Sequence, residues 1–444
     1  MPPNIIQSLP DGLILRRARS EDAEPLAEFN ARWLSDDGPE KPEEPLAVWT
    51  RDVFAKPHPT FSPELATIVE DANTGAIVSS IILFPQTWTY AGIPFGVGRP
   101  ELVATHPDYR KRGLVRLQME TVHGWSAELG HRMQVITGIP WFYRQFGYEM
   151  GLDLTGGRIA FPDTVPELQK DADEPYRFRR AETDDIDFIT GCYASECRRD
   201  LIACEKDADL WEYELTGRSA GNGVRMEIGI ISDPDGTPAG CFAHPERLWG
   251  KTLGLHFFGA AQGRSWLDLA PPMMRHLERT GRSFAGDAKG SSFKEIFFNL
   301  GTNHPVFDVL PNAFPRERRP YAWYVRVADV PGFLKHIRPA LEERLAGSSL
   351  GGFSGEVKIG FYRRGVLLKL NEGRFESIEH WQPVVDDEGH LRFPDLTFLS
   401  LLCGRRSFDE LADFYADCFA TKDEYAALMR AMFPKQTSNV WGVV

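Results

Sequence analysis

Cysteine is scarce in this chain: six residues in 444, with no CxxC pair and no zinc-like spacing. That excludes a disulfide scaffold and a structural zinc module, and it leads us to expect a reducing, cytoplasmic setting. Cys192, Cys197 and Cys204 lie close in sequence, and such cysteines usually serve as small buried hydrophobes. No stretch approaches the ~20 apolar residues that span a bilayer. The best run, Ile77 to Phe84, is broken by Ser79 and Ser80. A basic segment followed by an apolar core is lacking at the N-terminus, so no secretory signal and no membrane insertion are expected. Positive charge is also in deficit. The formal net charge of −13 speaks weakly against nucleic acid and weakly for cationic partners. What remains is an ordinary globular composition, 42% hydrophobic and 25% charged, with room for about three domains of ~150 residues.

The most informative segment present is Glu101-Leu102-Val103-Ala104-Thr105-His106-Pro107 followed by Arg110-Lys111-Arg112-Gly113-Leu114-Val115. A short apolar strand runs into a basic turn, and the turn opens into a helix. The spacing predicts that helix from Leu114 to about Leu129, with Leu114, Leu117, Val122, Trp125 and Leu129 on one face. The first N–H groups of a helix have no intrahelical partner and carry the positive end of its dipole. Behind a strand end they form a cradle for a phosphate or diphosphate. Gly113 lets the backbone approach such an anion, and Arg110, Lys111 and Arg112 add positive charge. The bland alternative is a turn whose basic residues are merely solvated.

A second element follows about one helix later, from Val135 to Tyr148. It reads as a strand (Val135 to Thr137), a short aromatic helix, and a Phe146-Gly147-Tyr148 turn. Together the two segments resemble the acetyl-CoA-binding core of the GNAT superfamily of N-acetyltransferases. The superfamily pattern Gln/Arg-x-x-Gly-x-Gly/Ala is met by Arg110-x-x-Gly113-x-Val115, except that Val115 stands at a usually small position. The resemblance implies a cosubstrate, acetyl-CoA, held by Val103, Ala104, Thr105, Lys111, Arg112, Gly113, Leu114, Val115, Arg116, Gly138 and Ile139.

Two stretches echo each other: Leu15-Arg16-Arg17-Ala18-Arg19-Ser20-Glu21-Asp22 and Phe178-Arg179-Arg180-Ala181-Glu182-Thr183-Asp184-Asp185. Each reads as a strand, a Ser or Thr N-cap, and acids in the first turn of a helix. A duplicated domain follows, with a boundary near Phe161 to Glu174, where prolines and acids accumulate. The second copy continues through strands at Val224 to Ile231 and Leu253 to Phe258, a helix near Leu267 to Glu278, and a strand near Ile296 to Leu300. Around Ala260 to Ser265 it lacks the phosphate-grip spacing, so it resembles a GNAT fold without its coenzyme. A third region opens near Val327 with a helix from Val330 to Ala346. Strands at Val357 to Tyr362, Val366 to Asn371 and Phe375 to His380 come next. A stripe of Leu396, Leu399 and Leu402, a helix N-capped by Ser407 with Leu411, Phe414 and Tyr415, and a last helix from Lys422 to Met432 complete it. This region looks like a sterol-carrier-protein-like domain. Its apolar stripes serve either as plain core or as a lipid tunnel, and periodicity favours core.

The expected architecture is therefore α+β, with tandem GNAT folds (mixed central sheets flanked by helices) over 1–160 and 175–325 and a sterol-carrier-like domain over 327–444. That order resembles the enhanced intracellular survival (Eis) family of acetyltransferases over essentially the whole chain. The resemblance implies that the C-terminal carboxylate, here that of Val444, threads into the first domain as general base. The alternative is a frayed end. It also implies Tyr143 as general acid, which could instead be a core aromatic, and an acceptor pocket around Phe29, Trp33, Asp36 and Asp37. Glu101 competes with Val444 as the base, and His106 reads as structural. The implied reaction is direct transfer of acetyl from acetyl-CoA to a primary amine: an aminoglycoside-like polyamine, a lysine side chain or a metabolite. The rival is a non-catalytic acyl-CoA- or lipid-binding protein with a vestigial site. Family members assemble into homo-oligomers, which is an expectation here; no metal is expected.

Overall fold

The computed structural model describes residues 4–287 and 292–442. It is α+β, with several mixed sheets. The first sheet is built from β1 (Ile5–Ser8), β2 (Leu13–Arg17), β3 (Ala66–Asp71), β4 (Ala76–Tyr90), β5 (Ile93–Thr105), β6 (Met133–Ile136) and β7 (Glu149–Leu152). Along β4, alternate residues face opposite sides, as the pleat requires. Ile82 and Phe84 join Phe29, Trp49 and Val53 of helices α1 (Ala23–Trp33) and α2 (Glu44–Ala55) on one face. Ile81 and Leu83 join Met119 and Val122 of helix α3 (Leu114–Glu128) on the other. The buried face of α3 differs from the simple apolar stripe. Gln118 and Met119 are fully buried, whereas Leu129, already past the last turn, is exposed. Gln118 can lie inside because its amide is satisfied, donating to Thr67 Oγ1 (2.9 Å) and accepting from Ser79 Oγ (2.6 Å).

The echoed segments are the same device twice. Arg16 pairs with Asp22 (2.7 Å) and donates to the carbonyl of Arg17 (3.2 Å); Arg179 pairs with Asp185 (2.6 Å) and donates to that of Arg180 (3.1 Å). The cap differs from the sequence expectation. Ser20 and Thr183 sit within short 3-10 turns, and the carboxylates of Asp22 and Asp185 accept from the N–H groups of Arg19 and Glu182.

Three strands cross the expected boundary, and one of them, Ile202–Cys204, pairs antiparallel with the end of β4 in the first sheet. β8 (Gly157–Ala160) lies in another sheet, between the later strands β15 (Glu295–Phe298) and β16 (Arg316–Arg318). In exchange β17 (Trp323–Arg326) inserts between β6 and β7 of the first sheet. The central region also holds β9 (Arg177–Arg180), β10 (Ile202–Cys204), β11 (Met226–Ser232), β12 (Pro238–Pro245), β13 (Thr252–Leu255) and β14 (Phe257–Ala260). The stretch expected as one strand from Leu253 to Phe258 is divided at His256: β13 pairs in parallel with β15, while β14 pairs with β12 in a different sheet. The helix after it, Trp266–Asp287, is longer than its apolar periodicity suggested.

In the last region the expected long helix is two, Val330–His336 and Arg338–Ala346, because Pro339 begins a new helix after Ile337. Strands β18 (Gly355–Gly360), β19 (Gly365–Asn371) and β20 (Arg374–Trp381) follow as an antiparallel set. Ser407 caps its helix as its sequence suggests, accepting from the N–H of Glu410 at 3.1 Å. Leu411 of that helix is buried, but Phe414 is 73% exposed. Phe333, Leu402 and Phe433 pack with Trp88, Tyr90 and Phe95, so this region shares one core with the first sheet. Among the described residues no helix is long and apolar enough to cross a membrane.

Candidate active site

β5 and β6 run side by side for two residue pairs only, Val97 with Met133 and Gly98 with Gln134. Beyond them the strands part. The cause lies in β5: Ser80 opposes Ala104 but Ile82 opposes Glu101, so Leu102 and Val103 together face one residue, Ile81. This is a β-bulge, and Leu102 carries the positive φ of 51° that such a bend needs. The C-terminal ends of parted strands are where ligands enter open α/β sheets, so the gap between these two is the candidate cleft.

One end of the cleft is the basic turn. Gly113 has φ 77° and caps α3 from a left-handed conformation, with open space where a Cβ would stand. Lys111 also has positive φ (63°). Left-handed residues on either side of Arg112 curve the chain so that the first N–H groups of α3, at Leu114, Val115 and Arg116, face one way. The side chains of the turn differ in their engagement. Lys111 is exposed. Arg112 spans to Asp11 (3.4 Å) and the Asp108 carbonyl (3.3 Å), and Arg110 donates to the Thr105 carbonyl (3.3 Å). Arg116 donates to Gln145 Oε1 at 3.0 Å, linking the two sides of the cleft.

The other end holds Tyr143, 5% exposed, in the 3-10 turn Phe142–Phe146. Gly138 lies beside its ring, while Ile139 and Trp141 are 61% and 60% exposed. Burial pushes the Tyr143 phenol well above its ordinary pKa, and the charge of Glu101 and the neighbouring Tyr324 add to the effect. Tyr324 was not legible as a site residue. It comes from β17, its ring centroid is 6.0 Å from that of Tyr143, and its hydroxyl accepts from the N–H of Trp141 at 2.7 Å. A contact spanning 183 residues leaves no local signal in the sequence.

Glu101 is bound by the Arg99 guanidinium at 3.1 Å. Arg99 also donates to the carbonyl of Gly442, as does Gln86 Nε2 at 2.6 Å. The chain's tail therefore reaches β4 and β5 of the first sheet. It is threaded there by hydrogen bonds from Leu201 N–H to the Thr437 carbonyl (3.0 Å) and from Ile202 N–H to Ser438 Oγ (3.1 Å). Val444, the expected base, lies outside the described residues. Beside the tail, Lys206 sits 4.0 Å from the Trp441 ring centroid and pairs with Glu214 (2.6 Å), which Arg218 also contacts (3.0 Å). Burial alone would raise the Glu214 pKa, but Arg218 and Lys206 hold it down at about 2. These buried ions, like Arg99 and Gln86, were absent from the sequence reading, which offers no periodic signal for them.

The expected acceptor residues divide. Phe29 is buried against Leu102 and Ala104 of β5, and the Trp33 ring stands 4.4 Å from that of His106. Asp36 and Asp37 are exposed on the loop after α1, where the Asp37 N–H donates to Ser35 Oγ (3.3 Å). His106 accepts from the N–H of Asp108 (3.2 Å), a turn-forming contact.

Comparison with known proteins agrees with this geometry. Residues 26–151 match the family described as an acetyltransferase (GNAT) domain. No curated protein sequence matches the chain. Solved structures are similar over nearly its whole length. A conserved protein of unknown function from Enterococcus faecalis V583, described as a probable N-acyltransferase, has a TM-score of 0.66 at 12% identity, covering 96% of this chain and 98% of that one. A GCN5-related N-acetyltransferase from Kribbella flavida gives 0.61 at 16% identity, covering 96% and 97%. Eis1 from Mycobacterium abscessus gives 0.59 at 12%, covering 96% and 98%. At such identities the likeness is one of fold, while the match over 26–151 falls on the cleft-forming sheet itself. Residues 26–151 thus match a GNAT acetyltransferase domain, and the chain as a whole is similar in fold to solved structures that include Eis1.

Proposed function

We propose that this protein transfers the acetyl group of acetyl-CoA to a primary amine by direct attack. The observation that carries the reading is the bulged, parted pair β5 and β6, with the open N-terminus of α3 at one end and buried Tyr143 at the other. The N–H groups after Gly113, with Lys111 beside them, are the residues for a diphosphate. The bulge at Leu102 and Val103 turns backbone N–H groups toward the place where a thioester carbonyl would become an oxyanion.

A primary amine, with a pKa of about 10.4, arrives protonated and cannot attack. Glu101 supplies negative charge beside Tyr143 and draws the ammonium in. The Arg99 guanidinium fixes the Glu101 carboxylate at the place where the ammonium would arrive. The proton is collected at Glu101 through water or at a carboxylate carried beyond Gly442, which the resemblance assigns to Val444. Tyr143 stays protonated through the neutral range and can donate to the departing thiolate. Its raised pKa makes that transfer uphill against a thiol of about 8.5, so its contribution is moderate.

Calorimetry with acetyl-CoA and a thiol-release assay over a panel of amines test the proposal. Binding and turnover are expected, with Tyr143→Phe lowering kcat by about 10² at unchanged acetyl-CoA affinity. Absence of acetyl-CoA binding, or no turnover with any amine, would overturn it.

A further inference from the structure

A second pair of parted strands has no role in the reaction above. β13 runs parallel to β15, and after His256 the chain swings away into β14. A cavity of about 140 Å³ lies where they separate, lined from one side by His256 and Phe257 and from the other by the Leu300–His304 segment that follows β15. That volume is close to the ~150 Å³ that accommodates a benzene-sized molecule. The tail closes the cavity with Asn439 and Trp441.

The lining has a particular chemistry. Asp200 lines the cavity, and no hydrogen bond from a side-chain donor is among the influences on its carboxyl; it accepts the backbone N–H of Asn439 and feels the charges of Glu196 and Arg199. Arg199 is committed elsewhere, to Glu196 at 3.2 Å and to the Trp266 ring at 5.4 Å. Burial pushes the Asp200 carboxyl up to about 7, as for an acid missing a counter-ion. Tyr193, Phe257 and Trp441 form aromatic walls. Trp441 is 8% exposed, and among the described residues its indole N–H has no acceptor. A carboxylate without a cation, aromatic faces and a spare donor are together complementary to a small ammonium compound that also carries an oxygen.

We propose that this second cleft binds a small organic ammonium ion between the Asp200 carboxylate and the Tyr193 ring, with an oxygen of the ligand at the Trp441 indole N–H. The occupant would touch Asn439 and Trp441, directly before Gly442, which Arg99 and Gln86 hold at the first cleft. The site would thus sense ligand at the root of the tail.

The probe is ethanolamine hydrochloride, with ethylene glycol as the neutral counterpart and acetate as the anionic one. The readouts are calorimetry and the Trp441 indole N–H resonance, assigned through Trp441→Phe. Ethanolamine is expected to bind saturably and to shift that resonance, and Asp200→Asn, which keeps an acceptor for Asn439, should weaken binding at least about tenfold. Acetyl-CoA titration of the same variant reads the first cleft and should be unaltered, which separates this site from acceptor binding there. Equal binding of ethylene glycol or acetate, or undiminished ethanolamine binding by Asp200→Asn, overturns the proposal. Should that variant not fold, an unmoved Trp441 resonance in the natural protein overturns it equally.

Discussion

At the scale of single residues, the candidate site depends on side chains that hold others in place. Tyr324 is one: replacing it by Phe removes the acceptor of the Trp141 N–H and leaves that donor unpaired. The expected cost is about 1–3 kcal/mol of stability, with a fall in kcat, read by urea denaturation and steady-state kinetics. An unchanged kcat would restrict Tyr324 to a structural role. Glu101 is another. Glu101→Gln keeps the contact with Arg99 possible but removes the charge that faces Tyr143. The expected result is a rise in the amine's KM, read by steady-state kinetics. If instead appending residues after position 444 abolishes turnover while Glu101→Gln does not, proton collection belongs to the tail.

At the scale of elements, the turn before α3 is the sharpest case. Gly113 adopts φ 77° with open space around its missing Cβ, so Gly113→Val meets no neighbour but strains the backbone. About 1–2 kcal/mol of destabilisation is expected, together with weaker acetyl-CoA binding by calorimetry. Weakened stability with undiminished affinity would remove the anion cradle. This turn was legible in sequence because everything that makes it is local: a strand, a glycine and a helix start within fifteen residues. The Ser407 cap was legible for the same reason. The bulge at Leu102 was not, since a residue with no glycine-like signature is bent by its partner strand. The split of the expected strand at His256 was invisible too, because both halves are apolar and only their partners differ. Pro339 marks the break between two helices, in a stretch expected as one from Val330 to Ala346.

At the scale of the whole molecule, half-buried histidines set the response to acid. Burial lowers the pKa of His58, His131 and His256 to about 4 and of His123 and His276 to about 3. Unfolded, each titrates near 6.5, so between that value and 3–4 the unfolded chain binds more protons. Stability is therefore intact above pH 6.5 and is lost as the pH falls, at up to about 1.4 kcal/mol per pH unit for each histidine. Asp200 acts in the opposite sense. With its pKa pushed up to about 7 from 3.8, its contribution is lost as pH rises through that window. Five groups outweigh one, so Tm measured by calorimetry should drop steadily from pH 6.5 to pH 4.5. A flat profile would mean that these rings are hydrated.

The exchange of β8 and β17 has a consequence for how the chain can be divided. A fragment ending at residue 160 would retain Tyr143 and the turn at Gly113, yet it would carry a gap between β6 and β7 and an orphaned β8. The first sheet, and the candidate site on it, is in this sense a property that two stretches of polypeptide lend each other.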